Sequence, residues 1–100
     1  MWMEVQFRDA SLDRLETDGE FTGGYQQSVV RSFRIRMEMI RAAEDERAFY
    51  ALKSLHFEKL KGDRSHQHSM RLNSQWRLVV ELVGEGRNKV VWIVGIEDYH

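Results

Sequence analysis

Met3, Val5 and Phe7 alternate with Glu4, Gln6 and Arg8, the two-residue period of a strand with one buried face. Asp9 or Ser11 then offers a cap for a helix that carries Leu12 and Leu15 on one side. Gly19 and Gly23-Gly24 interrupt that helix. A longer helix is predicted from about Tyr25, because Val30, Phe33, Met37 and Ile40 recur at three- and four-residue spacing. Arg31, Arg34, Arg36 and Arg41 occupy its other positions. Burial against a sheet accounts for the apolar stripe more simply than a partner groove does. Glu44 to Arg47 end the helix, and Ala48 to Leu52 make one further helical turn.

From Leu55 the period changes to that of strands. Leu55 and Phe57 alternate with His56 and Glu58, and Lys61-Gly62-Asp63-Arg64 reads as a turn. Met70 and Leu72 point one way, so Ser69, Arg71 and Asn73 point the other. Asn73-Ser74-Gln75 is short enough for a hairpin connection to the alternating run Trp76 to Val83. Gly84 to Asn88 form the next turn. Val90 to Val94 is apolar at every position, which predicts a central strand covered on both faces. The order β-α-α-β-β-β over residues 1–100 predicts a single α+β domain, with two helices packed on one face of a mostly antiparallel sheet of four to five strands.

Composition narrows the function. The chain has 100 residues, no Cys and no Pro, so disulfides and Cys-ligated zinc are excluded. Its start lacks a basic stretch followed by an apolar run. Its longest apolar run, Val90 to Val94, is far short of the ~20 residues that span a membrane. A cytoplasmic protein without a membrane partner is expected. The net charge of −1 hides an asymmetry: residues 31–77 hold eleven Lys and Arg against six Asp and Glu. A local positive patch of this kind suits a polyanion, and equally a solvated helix face.

No GxxxxGK[ST] or GxGxxG loop and no nucleophile elbow is present. His66-Gln67-His68 places two imidazoles on one strand face, too few ligands for a metal site. His68 is the better placed of the two to edge a functional site. The remaining candidates are spread over the second half. Lys59 and Lys61 precede the turn that ends in Arg64, Arg71 and Arg77 sit on hairpin-paired strands, and Asp98-Tyr99-His100 follows the central strand. RNA cleavage by attack of a 2′-hydroxyl on its own phosphate needs a base, an acid, and cations for the added phosphate charge. His, Arg and Tyr supply those properties. The same residues also suit a solvated strand face and a polar tail.

Taken together, the run Leu55 to Arg64, then His68-Ser69-Met70-Arg71-Leu72-Asn73-Ser74-Gln75-Trp76-Arg77-Leu78, then Val91 to Gly95 and the ending Ile96-Glu97-Asp98-Tyr99-His100 resembles the HigB-like branch of the RelE/ParE toxins. The resemblance spans nearly the whole chain in element order and is sharpest over residues 48–100. It implies a RelE-like fold, and ribosome-dependent cleavage of mRNA with no metal or other cofactor. It also implies a cognate antitoxin of helix-turn-helix type, through which operator DNA is bound. By position, Arg71 resembles the arginine that grips the scissile phosphate, and Lys61 the active-site lysine. Asp98, Tyr99 and His100 match the terminal triplet, with His100 as acid or base and Tyr99 stacking on a base. Lys59, Arg64, His68 and Arg77 make up a wider RNA-binding set, in which Arg77 has a structural alternative. Glu58 stands where well-studied members carry a histidine three residues before the lysine, so His56 is not assigned a catalytic part. The other readings are a ParE-like inhibitor of a topoisomerase that does no chemistry, and a weak toxin that serves as a subunit of a repressor complex.

Overall fold

The computed structural model describes residues 3–84 and 89–99. Strand β1 (Glu4–Phe7) leads into helices α1 (Ala10–Thr17), α2 (Gln27–Ala42) and α3 (Arg47–Ala51). Two 3₁₀ turns, Lys53–Leu55 and Gly62–Arg64, flank the two-residue strand β2 (Glu58–Lys59). Strands β3 (Gln67–Arg71), β4 (Trp76–Val83) and β5 (Val90–Asp98) follow. The sheet runs β1-β5-β4-β3-β2. Its pairs are antiparallel except β1 with β5, which is parallel. Two strands separated by the whole of the intervening chain need no hairpin between them, so a parallel pairing is open to them.

The predicted apolar stripe of α2 forms the centre of the core. Phe33, Met37 and Ile40 are fully buried and meet Leu12 and Leu15 of α1 and Met70, Leu78, Val80, Val91 and Ile93 of the sheet. The arginines of α2 are largely engaged inside the molecule. Arg34 donates from Nε to the Leu15 carbonyl at 3.0 Å and from Nη2 to those of Asp18 and Phe21 at 2.9 and 3.3 Å. It thereby satisfies the Leu15 carbonyl in the last turn of α1 and ties down the two carbonyls of the loop that follows. Arg41 forks onto Glu16 at 2.6 and 2.7 Å, and Arg36 Nε donates to the Arg71 carbonyl at 3.0 Å. The basic character of the helix is therefore mostly that of internal struts. Among the described residues no helix is long and apolar enough to cross a membrane.

Three local expectations change. Leu55 and Phe57 are both buried, as their alternation suggests. They are not a strand, however, because Leu55 ends a 3₁₀ turn and His56 adopts a left-handed backbone at φ 48°. Pairing begins only at Glu58. Asp9 and Gln26 stand at the N-cap positions of α1 and α2, and neither makes a side-chain cap. The apolar run of β5 does not mark a strand covered on both faces. Val91 and Ile93 face the helices, whereas Trp92 pairs with Glu81 on the opposite side. Val94 is the extra residue of a β-bulge: Val80 pairs with Ile93, and its neighbour Val79 pairs with Gly95.

Candidate active site

The sheet face opposite the helices carries the candidate chemistry. The β3–β4 hairpin is closed by Asn73, whose Oδ1 accepts from the backbone N–H groups of Gln75 and Trp76, both at 2.8 Å, an Asx turn. This sets Arg71 directly across from Arg77, and Arg77 across from Glu97 on β5. Neighbours of this kind lie roughly 5 Å apart, so three charged side chains form a row across three strands. Val79 and Ser69 are buried in the floor beneath them.

The bulge decides the composition of this row. Simple alternation from Val91 puts Gly95, Glu97 and Tyr99 on the helix side. The extra residue shifts the phase, so Ile96 packs opposite Leu78 while Glu97 and Tyr99 turn to the open face. The Arg77 guanidinium lies 5.5 Å from the centre of the Tyr99 ring, a cation–π contact.

Arg64, at the end of the second 3₁₀ turn, reaches over to this row. It binds the Glu97 carboxylate through two nitrogens at 2.9 and 2.6 Å and Gln67 Oε1 through Nε at 3.0 Å. Its guanidinium, and secondarily that of Arg77, hold the Glu97 carboxyl below the usual carboxylate range. Arg77 gains little in return. Its Nη2 donates to Glu97 Oε1 at 3.4 Å, and its Nε is buried without a hydrogen-bond partner. Arg71 makes only long contacts, from Nε to the Asn73 carbonyl at 3.3 Å and from Nη1 to His56 Nε2 at 3.4 Å. Since a guanidinium can only donate, His56 Nε2 must be the unprotonated nitrogen in that contact.

The open face therefore unites Arg64, Arg71, Arg77 and Tyr99. Lys61 is exposed at the entrance to the Gly62–Arg64 turn. The remaining candidates fall elsewhere. Lys59 and His68 pair with each other, and His68 with Val80, which puts both on the helix side of the sheet edge. Asp98 pairs with Trp76 on that side and accepts from Gln75 Nε2 at 3.0 Å. His100 lies outside the described residues. The two imidazoles expected on one strand face also part. The strand begins at Gln67, and His66 Nε2 instead approaches Glu81 Oε1 at 3.2 Å.

Two residues were not assigned to the site from sequence. His56 reaches Arg71 because its left-handed backbone follows a 3₁₀ turn, and a strand-like reading of Leu55 to Glu58 hides that turn. Glu97 carries no signal of its own in the sequence, since its partner Arg64 is 33 residues away and the bulge that turns it to the open face is silent in an apolar run.

His68 has a structural environment of its own. Its ring stacks on Phe57 with centroids 4.8 Å apart and planes 10° from parallel. Nε2 is 3.4 Å from the Tyr50 hydroxyl, and Nδ1 is buried without a hydrogen-bond partner. Burial, and then the nearby Lys59 cation, lower its pKa from the ordinary value near 6.5. The unfolded chain thus takes up this proton more readily than the folded one. The stability that His68 contributes is complete above pH 6.5 and is lost as the pH falls through the depressed folded value. Melting temperature is expected to drop between pH 7 and pH 5, with a shallower drop in His68→Gln. Parallel curves for the two proteins would contradict this account.

The comparisons with known proteins agree with the fold. The chain matches the family described as RelE-like toxin of type II toxin-antitoxin system HigB over residues 5–100. Among solved structures it is similar to a YoeB/ParE toxin from Agrobacterium tumefaciens, with 17% identity, a TM-score of 0.66, and coverage of 98% of this chain and 100% of that one. At such low identity this likeness is one of fold. A search of curated sequences finds no match. With 96 consecutive positions matched to the family and the same fold found in a solved toxin, this chain belongs to the HigB-like, RelE-type toxins of type II toxin–antitoxin systems.

Proposed function

We propose that this toxin is a ribosome-dependent endoribonuclease that arrests translation by cutting mRNA. The observation that carries this reading is the open-face pair of Arg71 and Arg77, in register on adjacent strands and with donors to spare. Arginines left with unsatisfied or long hydrogen bonds on a rigid sheet are ready to take a phosphate, which a guanidinium binds in a fork. In the proposed reaction the RNA 2′-oxygen attacks the adjacent phosphorus and the P–O5′ bond breaks. A 2′,3′-cyclic phosphate and a 5′-hydroxyl end result. Arg71 stabilises the charge that builds on the phosphate, with Arg77, Arg64 and Lys61 adding positive potential. Tyr99 offers its ring to a base. His56, whose Nε2 is released when Arg71 turns to the phosphate, is a candidate to accept the 2′-hydroxyl proton, and His100 is a candidate to protonate the leaving oxygen. No step calls for a metal.

The type II family implies an antitoxin partner. We take it to be a helix-turn-helix protein that carries the toxin to operator DNA, and we place the toxin in the cytoplasm with its ribosomal target. The test is induction of the chain in a host that lacks the antitoxin, with mapping of mRNA 5′ ends. New ends inside translated reading frames are expected within minutes of induction. Growth arrest without new ends would overturn the nuclease reading in favour of a bound target such as a topoisomerase. No arrest at all would favour a subunit of a repressor complex.

A further inference from the structure

Glu97 holds the position that an anion would take on the open face. Its carboxylate is gripped in fork geometry by Arg64 and touched by Arg77, and carboxylate and phosphate are the two groups that such a fork fits. We propose that Glu97 is an internal stand-in for an RNA phosphate, occupying Arg64 and Arg77 in the free toxin and displaced when RNA binds. The inference rests on the RNA-directed reading of this face.

Three features of the molecule support exchange. The Arg64–Glu97 pair is about one-third exposed on each side, so solvent screens it and its net strength is small. Arg77 is poorly served by Glu97, with a single 3.4 Å contact from Nη2, and a phosphate offers it more acceptor oxygens. A groove of about 390 Å³ alongside β5 is lined by Glu97, with Arg8 and Asp9 of opposite charge among its other residues. The displaced carboxylate thus has open space beside it. The free toxin then has low affinity for RNA, and gains its substrate only where the ribosome presents mRNA at high local concentration.

The test measures binding of a short single-stranded 2′-O-methyl RNA, which lacks the attacking hydroxyl, by fluorescence anisotropy over a range of salt. Glu97→Gln is expected to bind about tenfold more tightly, with a salt slope steeper by about 0.7 for each cation freed. Glu58→Gln, which removes a charge from the same sheet face at β2, controls for long-range repulsion and is expected to gain far less. Glu97→Asp keeps the charge and retracts the carboxylate. Displacement predicts a gain for it as well, and a purely Coulombic effect predicts none. The advantage of Glu97→Gln should shrink to that of the Glu58→Gln control when Arg64 and Arg77 are both replaced by alanine. A Glu97→Gln protein that melts like the parent and binds RNA no more tightly would overturn the proposal and leave Glu97 as a strut. So would a gain no larger than the Glu58→Gln control. Failure of the nuclease reading is seen separately: the parent would then yield no new mRNA ends, while the RNA-binding gain of Glu97→Gln would persist.

Discussion

Arg71→Ala is expected to lower the rate of mRNA cleavage on programmed ribosomes by roughly a hundred- to a thousand-fold, the cost of removing one donor aimed at developing charge. The fold should survive. The Arg71 side chain contributes only two long contacts to the protein, so its loss should cost no more than about 1 kcal/mol. The stronger tie at this position, from Arg36 to the Arg71 carbonyl, belongs to the backbone and is kept. Arg71→Lys should recover only part of the rate, because an ammonium brings charge without the planar fork. Single-turnover cleavage of a defined message, measured beside thermal melting and antitoxin binding, separates these effects. A variant within about tenfold of the parent rate would mean that Arg71 does not act on the phosphate.

Removal of Tyr99 and His100 is expected to be comparably severe for toxicity and mild for folding. Loss of a general acid typically costs 10²- to 10⁴-fold, by order of magnitude, and the base-stacking ring leaves with it. The packing that holds β5 in the sheet lies upstream, in Val91, Ile93 and Ile96. The described part of the deleted segment contributes one backbone hydrogen bond, from Tyr99 N–H to the Gln75 carbonyl at 2.8 Å, and the contact beneath Arg77. The shortened chain should melt within a few degrees of the parent and fail to arrest growth. Arrest by a folded, shortened chain would remove the tail from the catalytic assignment and shift attention to His56 and Arg71.

The elements that could be read from sequence were those whose side chains report burial directly. The α2 stripe at Val30, Phe33, Met37 and Ile40 and the alternation through β4 both name the buried face without knowledge of the partner. Arg71 and Arg77 could be placed on one face for the same reason, once Asn73 to Gln75 was read as a hairpin. Features that depend on pairing were not legible. Nothing in Leu55 to Glu58 announces the left-handed turn that swings His56 to Arg71, because a buried-exposed alternation arises as well from a 3₁₀ turn as from a strand. Lys59, as a phosphate contact, and His68, at the edge of the site, belong to the RNA-binding set expected from the sequence and the resemblance. The pleat puts them on the other side, where Phe57 and Tyr50 surround His68. The basic stretch 31–77 looked like one positive field, yet Arg34, Arg36 and Arg41 are engaged in holding the helices to the sheet and to each other.

The single extra residue at Val94 has a consequence for how such a chain can change over generations. It acts as a clutch between two parts of one strand: upstream, odd-numbered positions are committed to the core, and downstream, even-numbered ones are. Flattening the bulge into regular pairing at constant length would not merely straighten the strand. It would turn Ile96 out to water and drive Glu97 and Tyr99 into the apolar interior, a reversal of every side chain beyond it. Loss of one residue at the bulge would instead set Gly95 directly after Ile93 and leave Ile96 inward and Glu97 and Tyr99 outward, so lineages should shed this position more readily than they straighten it.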